Sequence, residues 1–473
     1  MRRRSIIIGQ NHKMAASVRK VATRLPVVVI LGATGAGKSK LAIDIGTRMN
    51  GEVISADSMQ VYKGLDIITN KVTEEEQRAC VHHVLDVISP LRRFTVVDFR
   101  NRALPILEDI LDRQRLPIIV GGTNYYIESL LWKVLISPPE DQEESSLLFD
   151  REDAADEMMT DADLHSQLAA VDPAMAARLH PNDRRKVARS LQVFQQTGVP
   201  HSTLLQEQSM QEGGGPLGGP LRYTNTCILY LSCQQQVLDE RLDKRVDTMM
   251  ERGLLDELSH FHAEYNKEIV DANRQDYTRG IFQSIGFKEF HKYLLLQEGQ
   301  RSSDDGQQLL QEGVAALKTV TRRYARRQIK WIRNRFLKRP GGNVPQVFQM
   351  DSSRYPDRWE EDVLQPALSI VQAYVQGRDP PVSPVPYEEP RQVDRHTAYT
   401  CQVCGGRVIT GQLSWEAHLA SRSHRRRARK QRLREAMKQH QLDQAQQSSE
   451  ASASSGEDDF AQSFSAMLED EKD

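Results

Sequence analysis

Residues 25–39 read LPVVVILGATGAGKS. Its first seven residues are a short, β-branched apolar run that ends at Gly32, which is the pattern of a buried strand. Residues 32–39 fit the phosphate-loop pattern GxxxxGK[ST] in full, and a helix is predicted from Lys38 to about Asn50. A strand, a glycine loop and a helix in this order predict a domain that binds a diphosphate or a triphosphate.

The sequence around the loop continues to alternate between strands and helices. Further buried strands are predicted at residues 52–56, 116–120 and 227–231, with a helix at 98–113. This alternation predicts the α/β class, with a P-loop parallel sheet wrapped by helices. Between residues 164 and 195 the pattern is helical without strands, which predicts an inserted helical domain.

Composition shifts divide the 473 residues into seven segments. We predict a basic leader at 1–24, the two parts of the catalytic core at 25–140 and 213–340, the inserted helical domain at 141–212, a helix with a proline-rich linker at 341–398, a small module at 399–424, and a basic and then acidic disordered tail at 425–473.

The phosphate loop brings backbone N–H groups and a helix N-terminus toward phosphate oxygens. Lys38 adds a full positive charge, and Ser39 is a candidate ligand of Mg²⁺. We expect the diphosphate-binding residues to be the whole loop: Gly32, Ala33, Thr34, Gly35, Ala36, Gly37, Lys38 and Ser39.

Most loops of this kind hold nucleoside triphosphates, so an ATP-dependent kinase of a small molecule or nucleoside is the general alternative. Three features argue against it. The strand at 116–120 ends in Gly121-Gly122, where many such enzymes have a metal-binding aspartate; the lone Asp57 follows another strand; and no arginine-rich lid motif is evident. An RNA-binding scaffold with an inactive loop is disfavoured because Lys38, Ser39 and Asp57 are all present.

Near the C-terminus two thiols and two imidazoles recur at zinc-finger spacing. The pattern is Cys401-x2-Cys404-x13-His418-x5-His424, which predicts a structural Zn²⁺ in a C2H2-type module. Trp415 and Leu419 are candidates for its small core. We expect the finger to raise substrate affinity and to take no part in catalysis.

Basic residues cluster at 314–350, which contains no Asp or Glu, and again at 422–438, so a polyanionic partner is predicted. The first cluster also contains Tyr324, Trp331 and Phe336. Their rings are candidates for stacking on bases, but helical spacing favours core positions. We therefore predict a core position for Trp331 and nucleic-acid contact for the arginine face.

The first 43 residues contain no Asp or Glu and are rich in Arg, which is typical of a mitochondrial transit peptide, although a disordered basic tail is equally compatible. Met14 is an alternative start. We expect mitochondrial and cytoplasmic localisation, with the nucleus as a further compartment.

No apolar run reaches the length of a membrane span, so no membrane partner is expected. A monomer is expected.

Several motifs occur in one colinear order between residues 25 and 336. They are Gly32-x-Thr34-x-x-Gly37-Lys38-Ser39, DSMQVYKGLDIITNK at 57–71, DFR at 98–100, GGTNYY at 121–126, HPND at 180–183, RLDKR at 241–245, SIGFKE at 284–289 and TRRYARRQIKW at 321–331. In this order they resemble the tRNA dimethylallyltransferases (tRNA isopentenyltransferases). Ala33 departs from the proline of many members. With the predicted finger, the sequence resembles the eukaryotic branch.

The resemblance implies transfer of a dimethylallyl group from dimethylallyl diphosphate to N6 of the adenosine on the 3′ side of the anticodon, giving N6-isopentenyladenosine. It implies that Asp57 accepts a proton from N6 or orients it, and that Thr34 and Arg245 stabilise the departing diphosphate. A helix cap remains the alternative role for Asp57. The implied partners are dimethylallyl diphosphate and the tRNA anticodon stem-loop, with the inserted domain binding tRNA. The implied tRNA-binding residues are Asp57, Ser58, Met59, Gln60, Thr123, Arg185, Lys186 and Arg189.

Overall fold

The computed structural model describes residues 24–134, 159–266, 277, 280–341, 344–389, 394 and 397–450, with the side chains of residues 298 and 442–450 left out. Eight strands occur in these ranges: β1 (Val27–Gly32), β2 (Gly51–Ser55), β3 (His82–His83), β4 (Leu116–Val120), β5 (Thr226–Ser232), β6 (Val347–Asp351), β7 (Ala398–Cys401) and β8 (Arg407–Thr410). β1 to β6 form one parallel sheet in the order β3-β2-β4-β1-β5-β6.

The described α-helices are α1 (Lys38–Met49), α2 (Glu74–Ala79), α3 (Val96–Asp112), α4 (Asn124–Leu131), α5 (Asp161–Val171), α6 (Pro173–Arg178), α7 (Arg184–Thr197), α8 (His201–Met210), α9 (Gln235–Glu251), α10 (Leu254–Phe261), α11 (Phe287–Leu294), α12 (Glu298–Arg301), α13 (Asp304–Ile332), α14 (Gln365–Val375), α15 (Gln412–Leu419) and α16 (Arg422–Glu450). Short 3-10 turns occupy Gly280–Gln283 and Gln402–Cys404, and π-helical turns occupy His262–Asn266, Arg333–Leu337 and Glu360–Leu364.

Both faces of the sheet are covered, as the continuous apolar run of β1 requires. Val27, Val29 and Leu31 belong to one hydrophobic cluster, whereas Val28 and Ile30 belong to a second cluster. Alternate side chains of a strand point to opposite faces, so the two clusters mark the two sides of the sheet. The predicted P-loop parallel sheet is confirmed, and each predicted strand lies within two residues of its observed bounds.

The strand order places the ends of β2, β4 and β1 side by side at the carboxyl edge. The phosphate loop follows β1, Asp57 follows β2, and Gly121-Gly122 follows β4. Because β4 lies between β1 and β2, Asp57 faces the loop across these two glycines. In parallel α/β sheets, ligands bind in the crevice at this edge.

The long helix α13 packs antiparallel to α9 through a ladder of ion pairs. Lys318 pairs with Asp247 at 2.6 Å, and Arg322 and Arg326 pair with Asp243 and Asp239. These three cations are therefore used within the protein. The prediction that the arginine face of this stretch contacts nucleic acid stays a prediction; acidic residues of α9 lie opposite Arg322 and Arg326 and form ion pairs with them.

The three aromatic residues of this stretch have three different environments. Phe336 is buried in the core and Tyr324 lines a cavity, whereas Trp331 is 38% exposed. The predicted core position of Trp331 is wrong. Helical spacing identifies a face of a helix, but it does not tell where along the helix the covering elements end.

The chain forms two compact units. The first contains residues 1–158 and 193–390, and the second contains residues 159–192 and 391–473. The predicted inserted helices are present between β4 and β5, as α5 to α8; α5, α6 and most of α7 belong to the second unit, and α8 belongs to the first. The predicted boundaries of the inserted domain at 141 and 212 stay predictions, as do the leader and the end of the tail; residues 141–158, 1–23 and 451–473 lie outside the described residues.

Among the residues that the structure describes, none of the helices combines the length and the apolar composition that crossing a membrane requires.

Candidate active site and metal centre

A cavity of about 1020 Å³ opens in the first unit at the carboxyl edge of the sheet. Its wall contains Thr34 to Ser39 of the phosphate loop, Asp57 to Gln60 after β2, and Gly121-Gly122 after β4. Residues of α9 and α13, including Arg245, Tyr324 and Gln328, complete it. The two remaining loop residues are packed behind the wall: Ala33 contacts Leu238 and Leu242, and Gly32 lies against the end of β5.

The phosphate loop has the backbone geometry that its glycines permit. Gly35 and Gly37 have φ angles of 80° and 95°, in the left-handed region that favours glycine. A Cβ on Gly35 would come within 2.8 Å of the Leu242 side chain. The loop is therefore held both by its own conformation and by the packing of α9 against it.

Lys38 is the first residue of α1 and lies half-buried in the cavity wall. Its Nζ donates a hydrogen bond to the carbonyl oxygen of Ala33 at 2.9 Å. Burial lowers the pKa of the Lys38 ammonium to about 8; the Asp57 carboxylate opposes this shift, and the Arg245 guanidinium adds to it. Lys38 is thus a cation in a site with an excess of positive charge.

Arg245 lies on α9 and is brought to the loop, as the resemblance implied. Its Nη1 donates to the Thr34 hydroxyl at 3.4 Å. Burial lowers the pKa of Arg245 to about 10, and Asp57 again opposes the shift. Two buried cations and one carboxylate therefore share this cavity, and an anionic ligand would stabilise both cations.

Asp57 is held by a turn. Its Oδ1 accepts a hydrogen bond from the backbone N–H of Met59 at 2.9 Å. The residues that follow form turns, so the alternative role as a helix cap is wrong, although the local bond to the backbone resembles one. Beside it, Thr123 Oγ1 accepts from the N–H of Ser58 at 2.9 Å and donates to the Ser58 hydroxyl at 3.0 Å.

Gly121 and Gly122 let the strand ends converge. A Cβ on Gly121 would lie 2.1 Å from the carbonyl oxygen of Ala56, and a Cβ on Gly122 would lie 2.7 Å from Asp57 Oδ2. No side chain fits at either position. The glycines that distinguish this sequence from kinases with an aspartate here therefore let the backbone of Ala56 and the Asp57 carboxylate lie against the end of β4.

Gln328 was not identified from the sequence as a site residue, and Tyr324 was considered only as a ring that stacks on bases or belongs to the core. Gln328 is 3% exposed. Its Oε1 accepts from the N–H of Thr34 at 2.8 Å, and its Nε2 donates to the carbonyl oxygen of Gly122 at 2.8 Å, where the Tyr324 hydroxyl also donates at 3.1 Å. Gln328 therefore joins the phosphate loop to the end of β4. A glutamine four residues after a tyrosine, in the TRRYARRQIKW motif, was the available signal.

Met59 and Gln60 line the cavity, but their side chains also have contacts within the protein. Met59 packs against the first hydrophobic cluster. Gln60 accepts from the Ser55 hydroxyl at 3.0 Å and donates to the carbonyl oxygens of Thr69 and Asn70 at 3.1 and 3.0 Å. Their roles in tRNA binding stay predictions.

The second unit contains the three basic residues predicted to bind tRNA from α7. Arg185 and Lys186 are exposed, and Arg189 is partly buried. Lys186 pairs with Asp183, and Arg189 donates to Gln192 at 2.8 Å. None of the three is among the residues that line the cavity, and their contact with tRNA stays a prediction.

The predicted metal ligands lie together in the second unit. Cys401, Cys404, His418 and His424 each offer a ligand atom, and all four atoms lie within 4.8 Å of one another. His424 Nδ1 is 3.5 Å from Cys401 Sγ, 3.6 Å from Cys404 Sγ and 3.1 Å from His418 Nε2. Zinc bonds of about 2.0–2.3 Å would place four ligands at such separations. The cluster is consistent with a zinc finger.

The finger has almost no hydrophobic core. Trp415 stacks on Tyr399 with ring centroids 5.3 Å apart, but the predicted core position of Leu419 is wrong because its side chain is 39% exposed. Cys401 and Ile409 are its buried apolar residues within the described part.

Comparisons with known proteins agree with the geometry. The family model described as IPP transferase matches residues 60–335. A human tRNA dimethylallyltransferase is 53% identical and covers 90% of this chain and 91% of its own length. The Saccharomyces cerevisiae tRNA dimethylallyltransferase is 33% identical, over 84% of this chain and 91% of its own.

Solved structures give the same result. The crystal structure of a eukaryotic dimethylallyltransferase acting on tRNA is similar with a TM-score of 0.72 and 28% identity, and covers 88% of this chain and 100% of its own. The sequence relatives and the structural relative are therefore of the same kind, dimethylallyltransferases. The chain that they match contains the phosphate loop, the paired glycines and the Cys/His cluster. This chain is a member of the IPP transferase family, in its eukaryotic branch.

Proposed function

We propose that this chain transfers a dimethylallyl group from dimethylallyl diphosphate to N6 of the adenosine on the 3′ side of the anticodon in tRNA. The product is N6-isopentenyladenosine, and diphosphate is released. The observation that carries the proposal is that the phosphate loop with its two buried cations and the Asp57 carboxylate line one cavity. The relatives described above are named as enzymes that transfer a dimethylallyl group to tRNA.

The phosphate loop, Lys38 and Arg245 bind the diphosphate of the donor. Diphosphate leaves readily only when its charge is neutralised, and a buried cation does this more effectively than an exposed one. Thr34 Oγ1, which accepts from Arg245, lies where it can donate its own proton to a phosphate oxygen. As the bond between carbon 1 of the dimethylallyl group and oxygen breaks, these groups stabilise the electron pair that stays on the diphosphate.

Asp57 acts on the acceptor. Its Oδ1 accepts a hydrogen bond from the Met59 N–H, and its Oδ2 lies beside Gly122. The N6 amine forms the new bond to carbon 1, and the proton that it loses passes to the Asp57 carboxylate. A positioned carboxylate contributes about 10²–10⁴-fold to such a proton transfer.

Mg²⁺ fits the donor side. Ser39 supplies an exposed hydroxyl oxygen at the cavity wall, and Mg²⁺ binds proteins through few oxygen ligands together with waters and substrate phosphates. When bound, the ion neutralises part of the diphosphate charge.

Residues at the cavity wall and residues beyond it bind the RNA. We assign Ser58, Met59, Gln60 and Thr123 to the neighbourhood of the flipped adenosine. Arg185, Lys186 and Arg189 on α7 contact phosphates.

The Cys/His cluster binds a structural Zn²⁺, because so small a module buries too little apolar surface to fold unaided. The chain acts as a monomer on this proposal.

For localisation we propose the mitochondrion and the cytoplasm, with the nucleus as a further compartment, on the strength of the Arg-rich, acid-poor start of the sequence. A fluorescent protein fused to the full chain, and to a chain that begins at Met14, tests this. Mitochondrial signal from the first fusion and its loss from the second are expected; equal distribution of the two would contradict the proposed leader.

The activity is tested by incubating the purified chain and bulk tRNA with either labelled dimethylallyl diphosphate or labelled ATP. We expect label from the prenyl donor in tRNA, and N6-isopentenyladenosine after digestion to nucleosides. Transfer of phosphate from ATP would instead indicate a kinase, and no transfer from either would indicate a scaffold.

A further inference from the structure

Two exposed aromatic rings lie next to each other on the surface of the first unit. Tyr125, on α4, is 36% exposed, and Trp331, on α13, is 38% exposed. Their ring centroids are 6.1 Å apart, and the ring planes are inclined by 58°. No part of the chemistry assigned above uses either residue.

The indole of Trp331 is held in one orientation. Its Nε1–H donates to Glu128 Oε1 at 2.6 Å, and Glu128 is 0% exposed. Glu128 is also paired with Arg335 at 2.8 Å, and the Arg335 guanidinium lies 5.7 Å from the centre of the Trp331 ring. A buried carboxylate is tolerated only when it is paired and hydrogen-bonded, so this cluster fixes the ring rigidly. Rigid aromatic rings lose little entropy when they bind a partner.

The two ring residues lie close in the chain to residues at the cavity. Trp331 follows the cavity residues Tyr324 and Gln328 on α13 by seven and three positions, so it lies roughly 10 Å along the helix from Tyr324. Tyr125 comes two residues after Thr123, whose hydroxyl binds Ser58 beside Asp57. The pair is therefore a candidate contact for nucleotides that flank an adenosine bound in the cavity.

The surroundings of the rings indicate what binds there. Arg327, Lys330 and Arg333 are exposed on the same stretch of chain, and residues 314–350 contain no Asp or Glu. Aromatic rings interleaved with exposed cations bind single-stranded nucleic acid, because the rings stack on bases while the cations contact phosphates.

We propose that Tyr125 and Trp331 form a stacking site for an unpaired base that flanks the modified adenosine in the tRNA anticodon loop. This inference rests on the proposed function, since it requires tRNA to be the substrate. It adds a subsite outside the catalytic cavity, and it gives Glu128 the role of a positioning residue for Trp331.

Kinetics of Trp331→Ala test the site from the protein side. We expect the KM for a tRNA stem-loop to rise by about 5- to 150-fold, the range for loss of one base–aromatic stack, while the KM for dimethylallyl diphosphate and kcat stay within twofold. Trp331→Phe keeps a ring and should recover most of the affinity. Leu295→Ala, which removes another exposed apolar side chain, is the matched control and should have no effect.

Stem-loops with an abasic nucleotide on either side of the target adenosine test the site from the RNA side. On one of the two, wild type and Trp331→Ala should have the same KM, because the stack is already lost and the two losses do not add. An unchanged tRNA KM in Trp331→Ala, or the same defect on both abasic stem-loops, would overturn the proposal.

The outcomes separate this inference from the proposed function. If wild type transfers no dimethylallyl group to tRNA, the proposed function fails; if it does and the Trp331→Ala kinetics are normal, only the stacking site fails. If Trp331→Ala does not fold, Tyr125→Ala decides by the same two measurements, since Tyr125 has no part in the bond to Glu128 that the structure shows for Trp331.

Discussion

The cavity of the first unit and the basic helix α16 of the second use positive charge in opposite ways. In the cavity two cations, Lys38 and Arg245, are removed from bulk solvent far enough that their pKa values fall to about 8 and about 10. α16 instead carries its cations on the outside of an exposed helix, where they face solvent: Arg422, Arg425, Arg426, Arg427, Arg429, Lys430, Arg432, Arg434 and Lys438.

This difference in the exposure of the cations determines what each region can bind. A buried cation is costly unless a ligand of opposite charge occupies the site, so a buried pair indicates one small, highly charged anion. Exposed cations are inexpensive, act collectively and are screened by salt, which suits the backbone of an RNA. Changes in the cavity should therefore affect chemistry and donor binding, whereas changes in the second unit should affect tRNA affinity.

The largest effect is expected for Asp57→Asn, which keeps the shape of the side chain but removes the proton acceptor. We expect kcat to fall by about 10²–10⁴-fold, with the KM values for donor and tRNA within threefold of wild type. Steady-state kinetics with both substrates varied measure this. Asp112→Asn, on an exposed carboxylate far along α3, is the control; a kcat of Asp57→Asn within threefold of wild type would remove Asp57 from the mechanism.

Arg245→Ala should have the next largest effect, on the donor side. Loss of a cation that stabilises the departing diphosphate should lower kcat by about 10²–10³-fold and raise the KM for dimethylallyl diphosphate. The KM for tRNA should stay near its normal value. Should tRNA affinity alone be impaired, Arg245 would belong to the other substrate. Arg252→Ala, at the end of the same helix, is a suitable comparison.

Gln328→Met should have a smaller effect, because it changes the distance between the two reacting groups, the dimethylallyl donor and the adenosine N6. Methionine fills a similar volume but can form neither the bond to the Thr34 N–H nor that to the Gly122 carbonyl. A misplacement of about 1 Å can reduce a rate by about 10²-fold, so we expect kcat to fall by about 10- to 100-fold with both KM values little changed.

Gln328→Glu sharpens this prediction. Glutamate still accepts from the Thr34 N–H but cannot donate to the Gly122 carbonyl, and it adds negative charge to the cavity. It should therefore raise the KM for the anionic donor as well as lower kcat. A folded Gln328→Met protein with normal kcat would show that the link between the loop and β4 is dispensable.

The smallest effect on turnover is expected from removal of residues 391–473. All residues assigned to the reaction lie in the first unit, so kcat at saturating tRNA should be unchanged. The KM for tRNA should rise by roughly tenfold at low salt, and its dependence on salt should flatten because phosphate contacts are lost. Cys401→Ser, which removes one metal ligand, should reproduce part of the loss. A truncated protein that folds but cannot turn over saturating tRNA would place the finger in the active assembly.

The sequence was sufficient for those parts of the site that depend on local geometry. The strand, loop and helix around Lys38 are adjacent in the chain, and the glycines of the loop signal a backbone that other residues adopt with difficulty. The Cys/His spacing likewise predicted the metal cluster, because its ligands lie in one short segment.

Contacts between distant segments could not be predicted in this way. Gln328 meets Thr34 across 294 positions of sequence, and Gly121 matters because the backbone of Ala56 approaches it. Trp331 was misplaced for the same reason: periodicity assigned it to a helix face, but whether that face is covered depends on which distant segments pack against it. Arg322 and Arg326 were expected to contact RNA, and in the structure acidic residues of α9 form ion pairs with both.

The central claim is that the donor diphosphate neutralises the buried cations of the cavity. It can be tested directly by calorimetry of dimethylallyl diphosphate binding at pH 8, in buffers of different ionisation enthalpy. The titrations contain a tRNA stem-loop whose target base lacks the 6-amino group, so that the donor binds beside an acceptor that cannot react. Near pH 8 Lys38 is about half protonated in the free protein, and a bound anion raises its pKa. We predict uptake of up to about half a proton per site, absent in Lys38→Met; equal uptake in both proteins, or none in either, would contradict the account.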